Sequence, residues 1–232
     1  MPGVETIFSP ALIGHHTLED RNAVIIDVLR ATTSICYALD QGAKSLMPVA
    51  TPEDCLRYRT LGCLCAAERN GLKLPGFDMG NSPEEFNRAA VENRDIAITT
   101  TNGTYALLES HSARRIFIGS FLNLHALADY LIKDGKDISL VCAGWKNKVN
   151  LEDTLFAGAL ASLLTGFTCE CDSTLMAMEL WEASKNNLHE VVNSSSHAKR
   201  FKRLGVDDLP ICLDLNRCAV VPEYVVDRIV AI

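Results

Sequence analysis

The chain reads as an α/β protein, a layered α/β/α arrangement of helices over a mixed or mostly parallel sheet. Three observations predict it. Apolar runs too short for helices recur at residues 24–29, 45–49, 64–67, 96–99, 115–118 and 138–142. Helix-like stretches lie between them, and strands alternating with helices favour parallel pairing through crossover helices. Apolar residues make up 48% of 232 residues, enough for a sizeable core.

The elements follow in order. The run 24–29 carries one carboxylate, Asp27, and leads through Arg30-Ala31-Thr32-Thr33-Ser34 into a helix over about 33–41, which Gly42 stops. Residues 45–49 form a short strand. Thr51-Pro52-Glu53-Asp54 then opens a helix with a capping hydroxyl and a proline in the first turn. The strand 64–67 ends at Glu68-Arg69, and Ser82-Pro83-Glu84-Glu85 is another helix start. The strand 96–99 runs into Thr100-Thr101-Asn102-Gly103-Thr104, a hydroxyl-rich turn ahead of a helix. Asn-Gly supplies the sharp turn. Strands 115–118 and 138–142 follow, and Asn150-Leu151-Glu152-Asp153 begins a long apolar helix to about 164. The polar segment 186–202, with Ser194-Ser195-Ser196, reads as a helix end and a loop over the site.

No stretch rich in Gly, Pro or Ser divides the chain, so residues 1–232 are expected to form one domain, with room for two lobes. Net charge is −7, from 29 acidic and 22 basic residues, which disfavours nonspecific binding to nucleic acid. No apolar stretch reaches the length of a membrane helix, and residues 1–5 show no leader, so a cytoplasmic, non-membrane protein is expected. The nine cysteines are scattered, and Cys63-Leu64-Cys65 and Cys169-Glu170-Cys171 are not spaced as zinc or redox pairs. Reduced, mostly buried thiols are expected.

In sheets of this kind, ligands bind beyond the carboxyl ends of the strands. The residues at those ends are Asp27 and Arg30; Glu68 and Arg69; Thr100, Thr101, Asn102, Gly103 and Thr104; Ser120 and Asn123; and Ala143-Gly144. Carboxylates, guanidinium groups, hydroxyls and turn N–H groups together suit metal-assisted phosphoryl chemistry. Asp27 is a candidate metal ligand or base, or else caps the next helix or pairs Arg30. Arg30 offers a planar fork to phosphate or sulfonate. Glu152 and Asp153 would favour the helix dipole alone, or hold Mg²⁺. Asn81-Ser82 is a capped helix start alone, or else a loop that approaches ligand. His197 precedes Lys199, Arg200, Lys202 and Arg203, a basic surface segment or a cationic flap over substrate. The chain has no P-loop, no G-x-S-x-G, no H-E-x-x-H and no D-x-D.

Asp27-Val28-Leu29-Arg30-Ala31-Thr32-Thr33, Glu68-Arg69, Gly80-Asn81-Ser82-Pro83, Thr100–Thr104, Gly119-Ser120-Phe121-Leu122-Asn123, Ala143-Gly144 and Glu152–Gly158 occur in the order seen in 2-phosphosulfolactate phosphatases. The resemblance covers nearly the whole chain. Ser34 stands where a third Thr is common, and Ala198 where Gly is common. The resemblance implies a Mg²⁺-dependent phosphoric monoester hydrolase that converts (2R)-2-phospho-3-sulfolactate to (2R)-3-sulfolactate and phosphate, a step towards coenzyme M. Asp27, Arg30 and Glu68 are then the expected catalytic residues. Asp27, Glu68, Glu152 and Asp153 are the expected metal carboxylates. Thr32, Thr33, Arg69, Asn81, Ser82, the turn Thr100–Thr104, Asn123 and His197 are the expected substrate contacts. The expected partner is a small phosphorylated sulfonate, with a homo-oligomer left open. Which carboxylate is base and which is ligand stays undecided, as do a covalent or direct mechanism and the natural substrate. The alternatives are a non-catalytic binder of small anions and a phosphatase of the same fold for another phosphorylated hydroxy acid.

Overall fold

The computed structural model describes all 232 residues. In chain order the elements are β1 (Val4–Ile7), β2 (Asn22–Ile26), α1 (Ala31–Asp40), β3 (Ser45–Pro48), α2 (Pro52–Arg59), β4 (Leu64–Arg69), β5 (Leu72–Lys73), α3 (Arg88–Val91), β6 (Asp95–Thr99) and α4 (Gly103–Glu109). Then follow β7 (Arg115–Gly119), α5 (Leu124–Asp134), β8 (Ile138–Cys142), α6 (Leu151–Leu163), α7 (Asp172–Ser184), α8 (Leu188–Asn193), α9 (Ser196–Arg203), α10 (Leu209–Cys212), β9 (Pro222–Val225) and β10 (Arg228–Ala231). The strands form one sheet in the order β1-β8-β2-β7-β9-β10-β3-β6-β4-β5.

The fold is α/β with a mixed, mostly parallel sheet, as the sequence predicts. β1, β8, β2 and β7 are mutually parallel, and so are β3, β6 and β4. The C-terminal hairpin β9-β10 is wedged between these groups, antiparallel to β7 on one side and to β3 on the other. The reversals along β7-β9-β10-β3 make the two parallel groups run in opposite senses. In a flat sheet their carboxyl ends would lie on opposite edges. Residues that follow β2, β4 and β6 nevertheless line one cleft, and between the two groups β10 pairs β3 through a single residue pair, Ile229 with Leu46.

Alternation on the strands divides the core. Val24, Ile26, Phe117, Leu140 and Cys142 pack against α5, α6 and α7. Ala23, Ile25, Ile116, Ile118 and Val141 face the other way, onto α1, together with Leu46, Ile96 and Ile98 of the second group. Helix α1 is therefore buried all round from Ala31 to Leu39. It has no solvent face to make polar, which accounts for its run of small and apolar residues.

The segment 186–202, expected as a helix end and a loop, instead forms α8 and α9. Ser195 caps α9 by accepting from the Ala198 N–H at 3.0 Å, and His197, Ala198 and Phe201 are buried beneath it while Lys199 and Lys202 face solvent. Ala198, at a position where the family resemblance suggests Gly, sits inside this helix, where alanine is favoured. All nine cysteines are unpaired, six of them buried. No helix is long and apolar enough to cross a membrane.

Candidate active site

The β2–α1 junction closes on itself. The Asp27 N–H donates to Thr32 Oγ1 and the Thr32 N–H to the Asp27 carbonyl, both at 3.0 Å, and the Thr33 hydroxyl donates to the Val28 carbonyl at 2.8 Å. Thr32 and Thr33 thus spend their hydroxyls shaping the turn, and neither reaches the cleft. What the turn presents is Asp27. Burial pushes its carboxyl up to about 6 from an ordinary 3.8; His197 opposes this and the neighbouring Glu68 and Glu152 reinforce it. Asp153 lies beneath. Its Oδ1 accepts from the Val28 N–H at 2.9 Å and its Oδ2 from the Gly144 N–H at 3.0 Å, so it ties the ends of β2 and β8 together. Burial, then the charges of Glu152 and Asp27, push its carboxyl well above the usual range.

Arg30 is buried, and its fork is held from behind. Nη1 meets Asp208 Oδ2 at 2.5 Å and Nη2 donates to the Gly71 carbonyl at 2.9 Å, while the guanidinium lies 4.7 Å from the Phe201 ring centre. Its Nε has no partner. Ser82 holds the other Asp208 oxygen at 2.6 Å, away from the cleft. The Asn81 Oδ1 is likewise buried and unpartnered, and the Asn81 backbone carbonyl is fixed by the Ser34 hydroxyl at 2.8 Å.

On the other half-sheet, β6 delivers the turn 100–104. The Thr104 Oγ1 accepts from the Thr100 N–H at 3.2 Å and the Thr100 Oγ1 from the Thr104 N–H at 3.1 Å. Those hydroxyls serve the turn. The N–H groups of Thr101, Asn102 and Gly103 find no acceptor in the chain, at the first turn of α4, where an anion is favoured. Gly103 is required for packing: a Cβ there would stand 2.6 Å from that of Ala31 and 2.9 Å from Asp27 Oδ2. Glu68 braces the turn from β4, accepting from the Thr101 hydroxyl at 3.3 Å and from the Gly71 N–H.

The remaining wall comes from the β8–α6 loop and α9. His197 Nδ1 lies 2.8 Å from Glu152 Oε1 and 3.3 Å from Asn150 Nδ2, inside a buried patch. Nδ1 donates to the carboxylate, so Nε2, which has no protein partner, is left for the cleft. Glu152 Oε2 is buried without a partner. Glu152 and Asp153 occupy the first turn of α6, whose dipole favours both charges. Gly144 and the left-handed Lys146 and Asn147 close a tight hairpin, with Trp145 and Lys148 bonded across it, and Trp145 lines the cleft.

These pieces line one small cleft, with mostly polar and charged side chains facing it. Of the expected residues, the structure brings Asp27, Arg30, Glu68, Asn81, Thr100, Thr101, Asn102 and His197 to its lining, with Glu152 directly behind His197. It does not bring Thr32, Thr33, Arg69, Ser82, Gly103, Thr104, Asn123 or Asp153 there. Arg69 donates to its neighbour's carbonyl and to Thr99 and faces a separate depression beside Tyr105. Asn123 caps its own turn through Ser120 and holds the Ile118 and Val220 carbonyls. Trp145, Phe201, Asn70 and Gly71 line the cleft without having been expected there. So does Arg200, which the sequence offers only within a basic run, and Asp208, which aims Arg30, carries no local signal at all.

No group of three or more His, Cys, Asp or Glu side chains stands close enough to cage a metal. Mg²⁺ does not require a cage: it accepts one or two carboxylates and completes its shell with water and substrate oxygens. Asp153 and Glu68 have their oxygens committed to N–H and O–H donors. Asp27 makes no ion pair, and Glu152 keeps an unpartnered buried oxygen that water cannot reach. A hard divalent cation would meet that unsatisfied charge, so the donor set fits Mg²⁺.

Comparison with known proteins agrees with the geometry. The model of the 2-phosphosulpholactate phosphatase family matches residues 7–227. A protein of Thermotoga petrophila named probable 2-phosphosulfolactate phosphatase is 42% identical over 209 residues, 90% of this chain and 91% of its own. Relatives of the same name in Caldanaerobacter subterraneus and Clostridium beijerinckii are 37% and 32% identical, over 91% and 95% of this chain and 90% and 96% of theirs. The chain belongs to the 2-phosphosulfolactate phosphatase family.

Proposed function

We propose that this family member is a Mg²⁺-dependent phosphatase that hydrolyses (2R)-2-phospho-3-sulfolactate to 3-sulfolactate and phosphate. One observation carries the reading: the buried Asp27 carboxylate, which makes no ion pair, and the unpartnered Oε2 of Glu152 stand beside a turn whose N–H groups lack acceptors. Anion-binding N–H groups alone would suit a passive binder; costly unpaired carboxylates beside them suit catalysis.

Asp27 and Glu152 would hold the cation, which when bound neutralises phosphate charge and makes coordinated water acidic. The N–H groups of Thr101 and Asn102 receive phosphoryl oxygens, and the Arg30 Nε donates to another. Asp208 keeps that guanidinium in place without competing for Nε. His197, oriented by Glu152 through Nδ1, presents Nε2 to protonate the departing alkoxide. Glu68 fixes Thr101 and so the turn. The buried floor and the Trp145 and Phe201 walls exclude bulk water, which strengthens each of these bonds. Water attacks directly, since Asp27 lacks the partner carboxylate two residues on that aspartyl-phosphate chemistry of the D-x-D kind uses.

Phosphate release from 2-phospho-3-sulfolactate tests this. The expected result is turnover that EDTA abolishes and Mg²⁺ restores. No release with Mg²⁺ present would overturn the reading and leave an anion binder.

A further inference from the structure

We propose that Arg200 receives the sulfonate of the substrate, and so sets the preference for a doubly functionalised ester over a plain phosphorylated hydroxy acid. The inference rests on the reading of the site as a phosphatase of this substrate class. Three basic side chains face the cleft. Arg30 is committed to Asp208 and Gly71. His197 is committed to Glu152. Arg200 lines the same cleft, half-buried, and forms no ion pair and no side-chain hydrogen bond. It is the guanidinium there with an unspent charge.

Its position is defined all the same. The guanidinium lies 4.9 Å from the Trp145 ring centre and 5.9 Å from that of Phe201. Two aromatic rings thus hold the group in place while its N–H donors have no partner, so they are open to a tetrahedral oxyanion, which a guanidinium takes by two parallel bonds. The Trp145 main chain is held in a hairpin closed by the 2.9 Å bond from its N–H to the Lys148 carbonyl. The Lys146 N–H also reaches Asn102 Oδ1 at 3.4 Å, which couples the Trp145 platform to the phosphoryl-binding turn. With Asp27 and Glu68 also in the lining, a second anionic group can settle only where a cation is uncompensated.

Three esters separate the groups: 2-phospho-3-sulfolactate, 2-phospholactate, which lacks the sulfonate, and 2-phosphoethanesulfonate, which lacks the carboxylate. Arg200→Gln should raise KM on the two sulfonates on the order of 10- to 100-fold, the scale of a lost charge-assisted bond. Its kcat, and its kcat/KM on 2-phospholactate, should change by less than about 3-fold, and Arg200→Lys should recover part of the loss. Lys146→Gln, which removes an exposed cation over the same indole, should leave all three within about 3-fold. Equal loss on all three esters, loss confined to 2-phospholactate, no loss, or the same loss in Lys146→Gln would each overturn the assignment. Calorimetric binding of 3-sulfolactate against lactate reads the site without turnover. If the wild-type protein releases no phosphate from any ester, the phosphatase reading fails, yet weakening of 3-sulfolactate binding alone by Arg200→Gln still supports the sulfonate site. Unchanged binding overturns it.

Discussion

Replacing Asp27 by Asn should stabilise the metal-free protein at neutral pH while destroying its activity. The carboxyl titrates near 6 in the folded chain against 3.8 ordinarily, mainly through burial. A raised value means that the folded state binds the proton more tightly than the unfolded state. The stability this contributes is fully present below about pH 4 and is lost as pH rises through about 6. The gap is worth about 3 kcal/mol. Asn keeps the shape and cannot ionise, so the variant escapes the loss. The stability difference, Asp27→Asn minus wild type, should therefore grow by about 3 kcal/mol between pH 4 and pH 8, or about 6–12 °C in Tm for a chain of this size. Guanidinium unfolding of both proteins in EDTA at several pH values measures it, and the subtraction cancels the titrating groups that do not sense the Asp27 charge. Saturating Mg²⁺ at pH 8 should erase the difference, because the cation binds the wild-type folded state preferentially. Turnover of the variant should fall by at least about 10²-fold. Parallel stability curves in EDTA would refute the account of Asp27 as a buried, uncompensated carboxylate.

Further expectations follow from the same geometry. Asp208→Asn leaves the buried Arg30 guanidinium without its counter-charge and should cost about 3–5 kcal/mol in denaturant unfolding, far above the effect of breaking a surface pair. Glu152→Gln replaces the charged acceptor that orients His197 by a neutral amide oxygen and removes a carboxylate proposed to hold Mg²⁺; it should lower kcat by about 10²-fold and raise the Mg²⁺ concentration at half-maximal rate. Hydrolysis of an ester made chiral at phosphorus should proceed with inversion, as one direct displacement by water requires; retention would establish a phosphoenzyme.

Much of the framework was legible in the sequence because it is local. Apolar runs marked the strands, and Asp27 and Thr100–Asn102 were found because strand ends in this fold class face the ligand. The misplaced hydroxyls have a local cause as well. Thr32, Thr33 and Thr104 bond within five residues of themselves, and composition does not tell a hydroxyl turned into its turn from one turned outward. What was not legible is long-range. The β9-β10 hairpin joins the middle of the sheet about a hundred residues after β7, and Pro222 at its head argues against a central strand. Asp208 finds Arg30 across 178 residues. Arg200 gains its meaning only when α9 lays it on Trp145.

The most direct measurement is a crystal structure of the protein soaked with Mg²⁺ and orthovanadate, a mimic of the pentacoordinate phosphoryl group. The account predicts the cation on the carboxylates of Asp27 and Glu152, with vanadate oxygens within hydrogen-bond reach of the Thr101 and Asn102 N–H groups and the Arg30 Nε. Vanadate bound elsewhere, or bound in the cleft with the turn 100–104 turned away from it, would contradict the account.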